Sequence, residues 1–94
     1  MHINSDAFLA PSVRVALWEG VWDISFIKAD GTERHMLCTT NPVLIKKYAP
    51  EAVVHETAQY IDEGTDLVRA FDIQSGGWRS FYASSVFRFE EYGD

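Results

Sequence analysis

Leu67-Val68-Arg69-Ala70-Phe71-Asp72-Ile73, a Gln74-Ser75-Gly76-Gly77 turn, Trp78-Arg79-Ser80-Phe81-Tyr82, a short Ala83-Ser84-Ser85 break and Val86-Phe87-Arg88-Phe89 form the stretch that decides the fold. Two runs of β-branched and aromatic residues flank a glycine turn, and a third follows after three small residues. The break suits a single 3₁₀ turn. Closely spaced strands of this kind belong to a small closed β-barrel. They carry no catalytic signature.

Working back toward the N-terminus, the period changes twice. Trp22, Ile24 and Phe26 alternate with Asp23, Ser25 and Ile27, which predicts a half-buried strand. Asp30-Gly31 follows and predicts a hairpin, because glycine supplies the positive φ that the turn needs. The return strand spans 33–39, with Met36 and Cys38 on one face and His35 and Leu37 on the other. Pro11 and Gly20 bracket a short helix in which Val13, Ala16 and Leu17 share a face. Thr40 or Asn41 can cap a second helix from Pro42 to about Tyr48, ended by Pro50. Residues 51–66 fit either a helix or a strand and are rich in acids. The expected fold is therefore mainly β, a small α+β domain over residues 1–94. A short N-terminal helix joins a strongly bent five-stranded SH3-like or Sm-like barrel, with a helical or irregular acidic segment inserted between strands 2 and 3. Trp22, Phe26, Phe71 and Phe81 are the expected core aromatics.

Composition narrows the function classes. The chain has 94 residues, is 47% hydrophobic and carries a formal net charge of −6, so it is globular and acidic. Sequence-blind nucleic-acid binding depends on neutralising phosphates, so nucleic acid is an unexpected partner and a basic protein surface a better one. The single cysteine, Cys38, cannot close an intramolecular disulfide and reads as a core residue. His2, His35 and His55 lack ligand spacing, so no metal and no cofactor is expected. No apolar run approaches the ~20 residues of a membrane span. No signal peptide is read at the N-terminus, and the expected address is the cytosol.

The chain resembles a family of small bacteriophage proteins described as WYL-like, with an Sm-type, SH3-like β-barrel. The likeness rests on two blocks. The first is Gly20, Ile24 to Lys28, Asp30-Gly31-Thr32-Glu33-Arg34, Met36, Cys38-Thr39 and Asn41-Pro42. The second is Val68 to Asp72, Gly77-Trp78-Arg79-Ser80-Phe81, Ser85-Val86 and Glu90. Thr40 stands where the family has an apolar residue, and Ser84 where an acid is usual. The resemblance implies an N-terminal helix packed on a bent five-stranded barrel. It also implies a phage protein acting in the host cytosol. Related WYL domains are thought to bind nucleotides or nucleic-acid ends, but their Trp-Tyr-Leu run is missing here.

Two surfaces are candidate sites. Glu51, Glu56, Asp62 and Glu63 could dock on the basic surface of a host protein, although a charge run is more often a solvated face. Arg34, Trp78, Arg79 and Phe81 form an alternative ligand face that could stack on a base or grip a phosphate. The competing structural expectation is that Trp78 closes the barrel, that Arg79 pairs with Asp72 or Glu90, and that Arg34 joins a surface pair beside Glu33 and His35. Asp23, Asp30 and Asp72 show no spacing that pairs them for acid–base work, and Ser80, Ser84 and Ser85 lack a His/Asp partnership. The expectation is a non-enzymatic binding protein that inhibits or modulates a host protein, with anti-defence such as CRISPR inhibition as one form. A nucleotide or nucleic-acid module, or a self-assembling barrel that forms homo-oligomers through its strand edges, is the alternative.

Overall fold

In the computed structural model, residues 9–52 and 65–92 are described. The order of elements is α1 (Ala10–Glu19), β1 (Trp22–Ile27), β2 (Glu33–Thr39), α2 (Pro42–Tyr48), β3 (Leu67–Asp72), β4 (Gly77–Tyr82), a 3₁₀ turn (Ala83–Ser85) and β5 (Val86–Glu91). The strands form one antiparallel sheet in the order β4-β3-β2-β1-β5. This is the small α+β, Sm-like barrel architecture, with a second helix between strands 2 and 3.

Each turn has a local cause. At the β1–β2 hairpin, Gly31 has φ +88°, and Asp30 Oδ1 accepts from the Thr32 amide at 3.0 Å and the Thr32 hydroxyl at 2.6 Å. At the β3–β4 turn, Gly76 has φ +76° and donates its amide to the Asp72 carbonyl at 2.9 Å. Against β1, β5 spends one extra residue at Phe87, because Ser25 faces Arg88 and Phe26 faces Val86. Such a bulge bends the strand and raises its twist, which a small barrel needs.

The core lies between the inner face of the sheet and α1. Ala10, Val13 and Leu17 of α1 pack with Trp22, Ile24, Phe26, Met36, Cys38, Val68, Ala70, Phe81, Val86 and Phe89. Trp22 and Phe89 meet at 4.4 Å between ring centroids, and Trp22 Nε1 donates to the Ala16 carbonyl at 2.8 Å. Phe71 is buried as expected but lies outside this cluster, set edge-on to Trp78 at 5.5 Å.

The Thr39-to-Pro42 run locks both helices. A helix ends with unsatisfied carbonyls. Thr39 Oγ1 and the Thr40 amide both donate to the Leu17 carbonyl, at 2.8 and 3.0 Å. Asn41 Nδ2 donates to the Trp18 carbonyl at 2.9 Å, while Asn41 Oδ1 accepts from the Val43 amide and caps α2. One short motif thus ends α1 and starts α2.

Candidate basic cleft

Antiparallel partners point to the same face of a sheet. Arg34 faces Phe26, and Arg79 faces Ala70, so both arginines share the inner face with core residues. Phe26 and Phe81 stack at 5.1 Å and are 4% and 3% exposed. They close the floor of a cleft of about 250 Å³ at one end of the barrel, lined in part by Lys28, Arg34, Leu67, Arg79 and Tyr82. Among the described residues no carboxylate lines it.

Three of the four residues of the alternative ligand face, Arg34, Arg79 and Phe81, therefore come together. Trp78 does not. It lies on the opposite face of β4, half-buried against Phe71, with the Arg69 guanidinium 5.3 Å from its ring centroid. The expectation that Trp78 closes the barrel is corrected: the Phe26–Phe81 stack occupies that place.

The expected ion pairs are also corrected. Arg79 bonds neither Asp72 nor Glu90. Its Nη1 donates to the adjacent Trp78 carbonyl at 3.0 Å, and among the described residues it forms no salt bridge. Register explains this, since Asp72 faces Gly77 and not Arg79. Arg34 takes Asp72 instead, with Nη2 donating to Oδ2 at 3.0 Å, and Arg88 takes Glu90. Arg34 is thus not part of a surface pair with its chain neighbours. Asp72 is 3% exposed, and its Oδ1 also accepts from the Gln74 and Ser75 amides. Burial alone would raise its pKa. The hydrogen bonds from the Ser75 and Gln74 amides and from Arg34 outweigh burial, and the pKa lies below the ordinary carboxylate value. The Arg34 Nε is enclosed and has no hydrogen-bond partner among the described residues.

One polar pair escaped the sequence reading. His35 Nε2 meets Asp23 Oδ1 at 2.5 Å on the outer face. The hairpin register was the available signal, since it sets His35 opposite Ser25 and diagonal to Asp23. Cys38 is fully buried, and burial first, then the Asp72 and Asp23 carboxylates, push its thiol pKa far up, as suits a core residue. Of the four candidate acids, Glu51 is exposed, and Glu56, Asp62 and Glu63 lie outside the described residues. The neighbouring Asp66 is structural: its Oδ2 accepts from the Ser84 amide and hydroxyl at 3.0 and 2.6 Å. Among the described residues no cluster of His, Cys, Asp and Glu could hold a metal ion, and no helix is long and apolar enough to cross a membrane.

The pattern of the WYL_2 family, described as an Sm-like SH3 beta-barrel fold, matches residues 13–86. The chain belongs to this family. The match runs from α1 to the first residue of β5 and crosses the acidic segment, where the sequence blocks alone showed no likeness. In this WYL_2 member the second block extends past the matched region, to Glu90. No curated protein and no solved structure matches the chain.

Proposed function

We propose that this WYL_2 protein is a small non-enzymatic binding module, encoded by a bacteriophage, that binds and modulates a host protein in the host cytosol. Anti-defence, such as CRISPR inhibition, is one form of that role. The observation that carries the reading is the convergence of Lys28, Arg34 and Arg79 on one apolar-floored cleft in a chain of net charge −6. Arginine and tyrosine at the edge of a concavity are the residue types that dominate protein interfaces. At about 250 Å³ the cleft is smaller than the roughly 300–1,000 Å³ of most small-molecule sites. Side chains of a protein partner suit it better than a whole nucleotide.

The nucleotide reading draws on the same three cations. It is weakened by the aromatics. Phe26 and Phe81 are buried and stacked on each other, and one face of Trp78 is taken by Arg69. Among the described aromatics lining the cleft, Tyr82 alone is exposed enough to stack on a base.

The test is affinity capture from a candidate host lysate with the tagged full chain, in three forms: unaltered, Arg79→Glu, and a variant with Glu51, Glu56, Asp62 and Glu63 neutralised together. A host protein captured by the unaltered chain, and lost from Arg79→Glu, supports the cleft. Loss from the neutralised variant alone would move the contact to the acidic segment. Capture of no protein, with saturable binding of an oligonucleotide, would replace this reading by the nucleic-acid one. Turnover of a nucleotide abolished by conservative substitution of Asp23, Asp72 or His35 would show an enzyme.

A further inference from the structure

Four consecutive residues of β4, Arg79 to Tyr82, line the cleft, and so do Phe26 and Ile27 at the end of β1 with Lys28 and Ala29 of the hairpin turn that follows. Neighbouring residues of a strand point to opposite faces. A space that touches every one of them runs along the strand edge and not over one face. Among the described residues the outer edge of β4 has no strand partner, whereas on the other wall Lys28 is bonded within the hairpin, its amide to the Thr32 carbonyl and its carbonyl to the Gly31 amide. β4 is the last strand on its side of the sheet, and the pairing of β1 with β5 stops at Phe26 and Val86, before Ile27.

The side chains along this seam are sorted by face. Arg34 and Arg79 follow the inner face, and Lys28 continues the alternation of Ile24 and Phe26. Leu67 and Tyr82 are cross-strand partners on the outer face, and Ile27 takes the outer phase of β1. These three are 36%, 58% and 41% exposed. An edge strand is a template for pairing, and an added strand shares the two faces of the strand it joins.

Resting on the reading of the protein as a protein-binding module, we propose that the seam takes an extended acidic segment of the partner by strand addition along β4. The segment alternates carboxylate and apolar side chains. The carboxylates turn inward to Arg79, Arg34 and Lys28. The apolar residues turn outward onto Tyr82, Leu67 and Ile27. Charge selects this occupant: among the described residues Lys28, Arg79 and the Asp72-paired Arg34 line the seam and no carboxylate does, so a basic segment is repelled and a neutral one gains no charge contact there. Lys28 and Arg79 form no salt bridge among the described residues, so neither must give up a partner to bind.

The probe is a random dodecapeptide display library panned against the full chain. Peptides with acidic and apolar residues in strict alternation are expected to be enriched. A selected peptide, resynthesised with a fluorophore, is then titrated by anisotropy against the unaltered chain and Arg79→Glu. Arg79 is exposed, and its one side-chain bond among the described residues goes to the preceding Trp78 carbonyl, so the variant keeps its melting temperature while affinity falls at least tenfold. Methylation of alternate peptide amides in the two possible phases tests strand pairing without touching the protein. One phase is expected to lose at least tenfold in affinity and the other to bind nearly as before. Selected peptides without acids, binding indifferent to Arg79→Glu, or equal tolerance of both methylation phases would each overturn the proposal. So would sedimentation showing a dimer that Arg79→Glu dissolves, or a single-stranded oligonucleotide that outcompetes every peptide. A host protein captured independently of Arg79 would sink this inference while leaving the binding function in place. Peptides that bind as described, with no host protein captured, would do the opposite.

Discussion

Asp72 is a point at which a single substitution should strongly destabilise the barrel. Its carboxylate joins β3 to β2 through Arg34 and shapes the turn into β4 through the Gln74 and Ser75 amides. In Asp72→Ala the two turn amides lose an acceptor at an exposed turn, where water replaces part of it, at about 0.5–1.5 kcal/mol each. The Arg34 guanidinium loses a charge-assisted bond of about 1.5–3 kcal/mol, since its side chain is only 32% exposed. The expected loss is about 2.5–6 kcal/mol, which brackets the cost of breaking one side of an enclosed ion pair. A domain of this size holds about 5–14 kcal/mol in all, so the variant should be close to unfolding. Asp72→Asn keeps the turn acceptor and loses the ion pair, at about 1.5–3 kcal/mol. Urea unfolding followed by circular dichroism measures both, together with Arg34→Met and the double variant Asp72→Asn/Arg34→Met. The cycle should return a coupling of about 1–2 kcal/mol. A loss below about 1 kcal/mol in Asp72→Ala, or zero coupling in the cycle, would refute the claim that this contact holds β2 to β3.

Three further outcomes are expected. The folded pKa of Asp72 is depressed, so its contribution is fully present above the ordinary carboxylate value of about 3.9 and is lost as pH falls through the lower folded value. The unaltered chain should therefore lose stability on acidification below about pH 4 more steeply than Asp72→Asn, as urea midpoints measured across pH 2–5 would show. Phe26→Ala removes a 4%-exposed ring from the Phe26–Phe81 stack and should cost about 3–5 kcal/mol, whereas Phe87→Ala, 43% exposed at the bulge, should cost under about 1 kcal/mol by the same measurement. Cys38 should resist iodoacetamide in the native state and react on unfolding, as intact-mass spectrometry would report; fast native labelling would mean that the inner face of β2 opens.

The sequence by itself determined the elements. Glycine and proline punctuate the chain at Pro11, Gly31, Pro42 and Gly76, and the hydrophobic period shifts between 3.6 and 2 within those limits. These are local properties of backbone freedom and amphipathic spacing, so both helices and all five strands were legible within a residue or two. The inner positions of β1 and β2 followed from alternation alone, and Trp22, Phe26 and Phe81 were legible as core for the same reason. Only the tertiary structure decided which charges meet. Asp72 could be assigned to Arg79 because the two lie seven residues apart across a turn. The fold brings it to Arg34 instead, 38 residues away. The pairing of β2 with β3 covers just Cys38–Asp72 and Thr39–Phe71, and that short contact sets the partner. The cleft has the same origin. Lys28, Arg34 and Arg79 carry no shared motif, and they converge because the bulge at Phe87 and the bend of the sheet bring the end of β1 under β4. Local patterns report the face of a strand, but the position of one strand end against another depends on sheet curvature, which arises from contacts far apart in the chain.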